Sequence, residues 1–250
     1  MKKFVLPLII LAFLATSLQG QVMNIEQERM QTDTTGWAGS AALSFQYLKN
    51  KTEFWSAGAN IHLQYKTKKS LYLWLTNYSL AKSAGESFAN SGIQHLRYNY
   101  KILDWLTAEA FTQAQFNEVL SVKFRWLLGG GPRFKAVQTK PFRLYLGTLY
   151  MYEYEEISDT AIYHRDHRLS AYVSFTLKIK DNLSLINTTY YQPKFNDFAD
   201  YRISSQTDLK IKISKHFAFI TSYIYYYDAV PAENIPSETH NLQNSLTFDF

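Results

Sequence analysis

The chain contains no cysteine. Disulfides, thiolate metal sites, a cysteine nucleophile and lipid attachment through an N-terminal cysteine are all excluded. Long hydrophobic runs are almost absent as well. The one clear run, Phe4 to Ala15, is too short to cross a bilayer as a helix, which takes about 20 residues. Charge of one sign is scarce. The formal net charge is +5, two units of it sit on Lys2 and Lys3, and no basic run occurs, so nothing points to nucleic acid. Helical periodicity is the last absence, since no amphipathic helix pattern of useful length follows the first twenty residues.

Lys2 and Lys3, the apolar run and the stretch Thr16-Ser17-Leu18-Gln19-Gly20 have the order and length of a signal peptide. The expected division is a leader over 1–20, a polar lead-in over 21–35 and one domain over 36–250. Mean hydropathy is -0.25, ordinarily the mark of a soluble protein. A membrane barrel hides its apolar surface in alternation, so this value does not exclude one. Aromatics make up 16% of the chain, with 19 Tyr and 17 Phe, a composition that favours strands and interfacial girdles.

What the chain does have is period-two alternation. In 239–250, His240, Leu242, Asn244, Leu246, Phe248 and Phe250 share one face. Thr239, Asn241, Gln243, Ser245, Thr247 and Asp249 share the other. Only a strand gives this period. The same pattern recurs in about twelve segments, near 36–48, 53–66, 70–81, 92–102, 106–116, 119–135, 142–155, 168–179, 183–192, 200–212, 217–228 and 239–250. In 168–179, Leu169, Ala171, Val173, Phe175 and Leu177 oppose Arg168, Ser170, Tyr172, Ser174, Thr176 and Lys178.

Regular strands with turn residues between them predict an all-β fold. The links are short at 66–69, 103–105, 136–141, 180–182 and 213–216. They read as long at 82–91, 156–167, 193–199 and 229–238, while the first hairpin and the one from the fifth to the sixth segment are exceptions with short links on the long-loop side. Short turns on one rim and longer loops on the other are the pattern of a transmembrane antiparallel up-and-down β-barrel. The expected fold is such a barrel of about twelve strands. Bulky apolar groups from twelve strands would overfill a lumen, so the apolar face is expected toward lipid and the polar face inward. On that reading Phe175→Arg should cost more than Ser174→Arg, provided the lumen has room and water.

The charged residues expected to line the lumen include Arg97, Glu109, Lys123, Arg125, Arg143, Glu153, Arg168, Arg202, Asp208 and Lys210. The whole polar face carries eleven bases and six acids, adding Lys101, Arg133, Lys178, Lys212, Glu155, Asp200 and Asp249 to those ten. Buried charge must be paired or solvated, so the lumen is expected to be wet or cross-linked by ion pairs. Glu109 is expected beside Arg125, with Arg97 one strand further on.

Catalytic and metal patterns are weak. Gly85-Glu86-Ser87-Phe88-Ala89 resembles a nucleophile elbow but lies between strands, where that motif needs a strand turning into a helix. His164 and His167 stand three apart in an expected loop with no third ligand specified. Asp197 and Asp200 lack the regular ligand series of a calcium loop. Gly129-Gly130-Gly131-Pro132 lacks the Lys-Ser/Thr end of a phosphate loop, and in a strand it suggests curvature or a bulge. His240 and Ser245 have opposite parity, and His95 with Ser91 lacks the Ser-Asn-Gly surroundings of the outer-membrane phospholipases. No cofactor is expected.

Several stretches together carry a resemblance. They are Asn24-Ile25-Glu26, Thr35-Gly36-Trp37-Ala38-Gly39-Ser40, Gln94 to Tyr100, Glu109 to Gln115 and Leu128 to Phe134. The chain resembles the YdiY-like, salt-induced outer-membrane proteins, a domain of unknown function, in a form like that of Bacteroidetes. The resemblance implies a barrel in the outer membrane of a Gram-negative bacterium and transfers no catalytic residue. Similarity to outer-membrane barrels in general implies that Phe248 and Phe250 belong to a signal read by the barrel assembly machinery. The expected partners are therefore outer-membrane lipid, that machinery and a small solute or anion. The expected role is non-enzymatic: structural, binding or a narrow solute channel. The alternative is an outer-membrane lipid hydrolase or lipid-modifying enzyme.

Overall fold

Alternating polarity places one kind of side chain on each face of a strand, and the described residues fold almost wholly as strands. The structure, a computed structural model, describes residues 35–49, 53–83, 86–158, 161–214, 217–232 and 235–248. The expected leader and nearly all of the lead-in lie outside these residues, as does Phe250. The strands are β1 (Gly36–Lys49), β2 (Glu53–Lys66), β3 (Ser70–Ser83), β4 (Glu86–Lys101), β5 (Leu106–Asn117) and β6 (Val122–Gln138). They continue as β7 (Phe142–Ile157), β8 (Tyr163–Lys180), β9 (Leu183–Pro193), β10 (Tyr201–Lys212), β11 (Phe217–Asp228) and β12 (Glu238–Phe248). A 3-10 turn, Glu118–Leu120, links β5 to β6. All twelve form one sheet in the order β1 to β12, each antiparallel to the next.

The sheet is curled into a barrel. His95 on β4 and Tyr226 on β11 line the same cavity. In a flat sheet seven strand spacings would part them by about 33 Å. Strands between β1 and β12 turn one side inward. On β8, Arg168, Ser170, Tyr172, Ser174 and Thr176 are buried, while Val173 is 43% exposed and faces out. Polar groups on the outer face bond sideways to one another, as backbone and side chains must where no water is at hand. Trp126 donates to Thr112, Trp74 to Gln94, and the Asn187 amide to Ser205 and Thr207.

Short turns gather at one rim, and three of them close in the same way. The hydroxyl oxygens of Thr67, Thr139 and Ser214 accept from the backbone N–H of Ser70, Phe142 and Phe217. Such hydroxyl-closed turns give a compact reversal without glycine. The opposite rim differs from the sequence expectation. β4 begins at Glu86 and β8 at Tyr163, so much of 82–91 and 156–167 is strand. Both segments pair with a neighbour that extends that far, β4 across a bulge at Ala81/Lys82. Pairing therefore overrides their weak alternation.

Candidate functional site

The lumen is the site, and among the described residues the inward side chains of β4 to β11 pack in three layers. Nearest the long-loop rim lies an ionic layer built on Glu153. One of its oxygens faces Arg125 at 3.0 Å and also accepts from Arg202. The other takes Arg168 at 2.5 Å. Arg125 and Arg202 also share Glu155, at 2.7 and 3.0 Å, and Arg202 reaches Asp228 at 2.8 Å. Above them Arg168 binds Asp200 at 3.0 Å, and Lys194 joins Asp166 at 2.9 Å to Asp200 at 2.7 Å. Burial acts to raise the Asp200 carboxyl, but the Lys194 hydrogen bond and the Arg168 charge outweigh it and hold the group below its ordinary value. Burial likewise acts to lower Lys194, and Asp200 and Asp166 raise it above its ordinary value.

The middle layer is apolar. Phe111, Leu127, Leu149, Met151, Tyr172 and Tyr190 form one buried cluster inside the barrel. Glycine makes room for its rings. Gly129 faces Phe111 and Gly147 faces Tyr172 across their ladders. A Cβ on Gly147 would stand 2.0 Å from the Tyr172 ring, and one on Gly129 2.6 Å from Phe111. Rings laid over glycine in this way are a recognised support for curved sheets. The Gly129–Gly131 run thus serves close packing, with Gly131 lying against the backbone of Thr148 and Leu149.

Below it lies a second ionic layer. Glu109 receives Arg97 at 3.0 Å, Tyr172 at 2.8 Å and Arg133 at 3.7 Å. The Arg133 guanidinium stacks 3.7 Å over Tyr145. Between the two ionic layers, His95 bonds Gln113 at 2.8 Å and stacks on Phe111. The cavity left among these groups is about 50 Å³, room for a few water molecules and for nothing as large as a sugar.

Of the ten expected lumen residues, Arg97, Glu109, Arg125, Glu153, Arg168 and Asp208 are buried inside. Arg202 is nearly so, and Arg143 and Lys210 are half-buried toward the short-turn rim. Lys123 is not in the lumen. A bulge between Val122 and Phe124 reverses the parity of β6 there, and Lys123 is exposed on the outer face, 3.4 Å from Glu156. Arg125 does not lie beside Glu109 either. The register sets Gln115 opposite Arg125 and Gly131 opposite Glu109, so Arg125 turns to β7 instead. The expected surplus of base is not inside, for Lys101, Lys178 and Lys212 stand exposed at the short-turn rim.

Sequence reasoning missed the apolar layer, Asp166, Asp228 and the Lys194 bridge. Parity alone would have found Phe111 and Leu127, which share their faces with Glu109 and Arg125. Among the described residues no three metal-ligating side chains converge, and His164 and His167 fall on opposite faces of β8. No described helix is long and apolar enough to cross a membrane, which leaves the strands unaffected.

Fold and lumen together define a transmembrane β-barrel whose described inward side chains pack against one another. The chain belongs to DUF481, a family described as proteins of unknown function, whose model matches residues 25–250. None of the curated proteins matches it. Among solved structures it is similar to the NanC porin, at 13% identity and a TM-score of 0.51 over 86% of this chain and 99% of that one. It also matches a bacterial polysaccharide outer-membrane secretin, at 7% identity and 0.47 over 86% and 91%. A third match is the translocator domain of the autotransporter NalP from Neisseria meningitidis, at 10% identity and 0.45 over 90% and 92%. The first likeness shows the fold.

Proposed function

We propose that this chain is a non-enzymatic outer-membrane barrel of a Gram-negative bacterium, closed to solutes in its resting state, with a structural or binding role. The observation that carries the reading is Glu153 held by Arg125, Arg168 and Arg202 across the lumen. Three cations on one carboxylate, stacked on an apolar layer, oppose the passage of a hydrated ion along the β6–β10 side of the lumen. The barrel assembly machinery and outer-membrane lipid are its partners on this reading. The YdiY-like, salt-induced kind, in its Bacteroidetes form, is the finer family placement we adopt.

A narrow solute channel is the second reading, and the water-sized cavity beside Arg97, Arg125 and Arg202 favours it. It requires the Glu153 layer and the Phe111–Tyr172 layer to part. Planar-bilayer recording decides between the two. Purified barrel should give no steady conductance. Porin-like steps from the native chain would overturn the closed reading in favour of the channel. A lipid-enzyme role would be revived by phospholipid turnover that one Ser→Ala change abolishes.

A further inference from the structure

The two rims of the barrel hold their lysines differently. At the long-loop rim three described lysines are paired with carboxylates, Lys49 with Glu53 at 2.7 Å, Lys123 with Glu156 at 3.4 Å, and Lys194 with Asp166 and Asp200, while Lys82 lies over the Trp55 ring at 5.5 Å. At the short-turn rim Lys68, Lys69, Lys140, Lys178, Lys180 and Lys212 are exposed. Among the described residues none of these six has a carboxylate within ion-pair distance. Among the described residues of this rim Lys101 pairs with Asp104 at 2.5 Å, and Asp181 is a further acid. Every short turn has a lysine within it or at its edge, so the charge runs around the barrel and forms no single patch.

A girdle of outward rings accompanies these lysines. Trp37 meets Tyr65 at 4.9 Å, Tyr72 meets Tyr98 at 4.9 Å, and Trp105 stacks on Phe134 at 6.2 Å. Aromatic girdles mark the membrane interface of barrels. Lysines one or two residues beyond such rings stand at headgroup depth, with their stems along apolar surface and their ammonium groups toward phosphate.

We propose that the short-turn rim is a binding surface for anionic phospholipid headgroups in the leaflet it faces. The inference rests on the outer-membrane reading, in which short turns face the periplasm and the leaflet there is phospholipid. A docked acidic protein would call for a one-sided patch, whereas a ring of unpaired cations at girdle depth matches a lipid annulus.

Tryptophan quenching by brominated lipid tests the proposal. The chain is refolded into phosphatidylcholine vesicles containing a fixed fraction of brominated phosphatidylglycerol or, in parallel, brominated phosphatidylcholine. The expected result at low salt is a preference for the anionic lipid of roughly fivefold, the ratio supplied by about one lysine–headgroup contact. It should fall toward unity at high salt. Replacing the six lysines by Gln should abolish it, and Lys49→Gln with Lys123→Gln at the other rim should leave it unchanged. Equal quenching by both lipids in the native chain, or equal loss in the two variants, would overturn the inference. Heat-modifiable gel mobility of the same samples reads insertion separately. A chain that never folds into bilayers counts against the barrel reading, and one that folds without lipid preference counts against the lysine rim alone.

Discussion

Tyr172 on β8 donates its hydroxyl to Glu109 on β5 at 2.8 Å, across three strand spacings of the barrel interior. The bond ties the apolar layer to the lower ionic layer, since Tyr172 belongs to the first and Glu109 to the second. Tyr172→Phe keeps the ring over Gly147 and removes only the hydroxyl. The expected cost is about 1.5–3 kcal/mol, the value of a bond to a buried charge. Urea unfolding from vesicles should show it, and bilayer conductance should stay absent. An unchanged midpoint would mean that Glu109 is satisfied without Tyr172.

Glu153 should be the most sensitive acid in the chain. Glu153→Ala strips a shared acceptor from three arginines, and an uncompensated buried charge costs about 3–5 kcal/mol. Glu153→Gln should cost less, since the amide oxygen still accepts. Both should lower the temperature at which the unboiled gel band shifts. If either variant also conducts, the upper ionic layer is the seal.

Strand β8 offers a test of which face meets lipid. Phe175→Arg should cost about 2–4 kcal/mol at most, less as its site nears the interface. Ser174→Arg should be worse, contrary to the sequence expectation, because Ser174 is 1% exposed and bonded to Thr188 at 2.9 Å. The filled lumen, not an inverted barrel, is the reason. The face is read independently by cysteine labelling: a bilayer-soluble reagent should modify Val173→Cys and spare Ser174→Cys. The opposite labelling would show that the faces are reversed.

The Lys194 cap sets a pH window. Asp200 is held below its ordinary 3.8, so its contribution is fully present above that value and is lost as pH falls through the lowered one. Lys194 is held above its ordinary 10.5, so its contribution is full below that value and is lost as pH rises through the raised one. Protection of the 194–200 loop from protease should therefore be flat through neutral pH and fall at both extremes. Lys194→Met should remove the alkaline fall. Protection that varied between pH 5 and 9 would assign the loop to other contacts.

Fold and strand faces were legible because alternation is a local signal. Arg168, Ser170 and Ser174 could be set inward from parity alone. Partner choice was not legible, because it depends on register and bulges. One extra residue near Val122 turned Lys123 outward, and a six-residue offset along β5 and β6 parted Glu109 from Arg125. The apolar layer escaped notice because Phe111 and Leu127 lie singly on faces whose other members, such as Glu109, Gln113, Gln115 and Arg125, are mostly polar. Extension of β4 and β8 beyond their expected starts was hidden too, since edge pairing and not pattern decides where those strands begin.

The glycine–ring contacts carry a consequence for the order of assembly. Phe111 with Gly129 joins β5 to β6, and Tyr172 with Gly147 joins β7 to β8. Each is complete within a single hairpin, at small loop-closure cost. The Glu109–Tyr172 and Glu153–Arg202 contacts span several strands and need the sheet already curled. The interior should thus gain its rings hairpin by hairpin and its long-range charge pairing last. Gly147→Ala should accordingly slow early hairpin formation, while Tyr172→Phe should leave the early phase unchanged and speed unfolding.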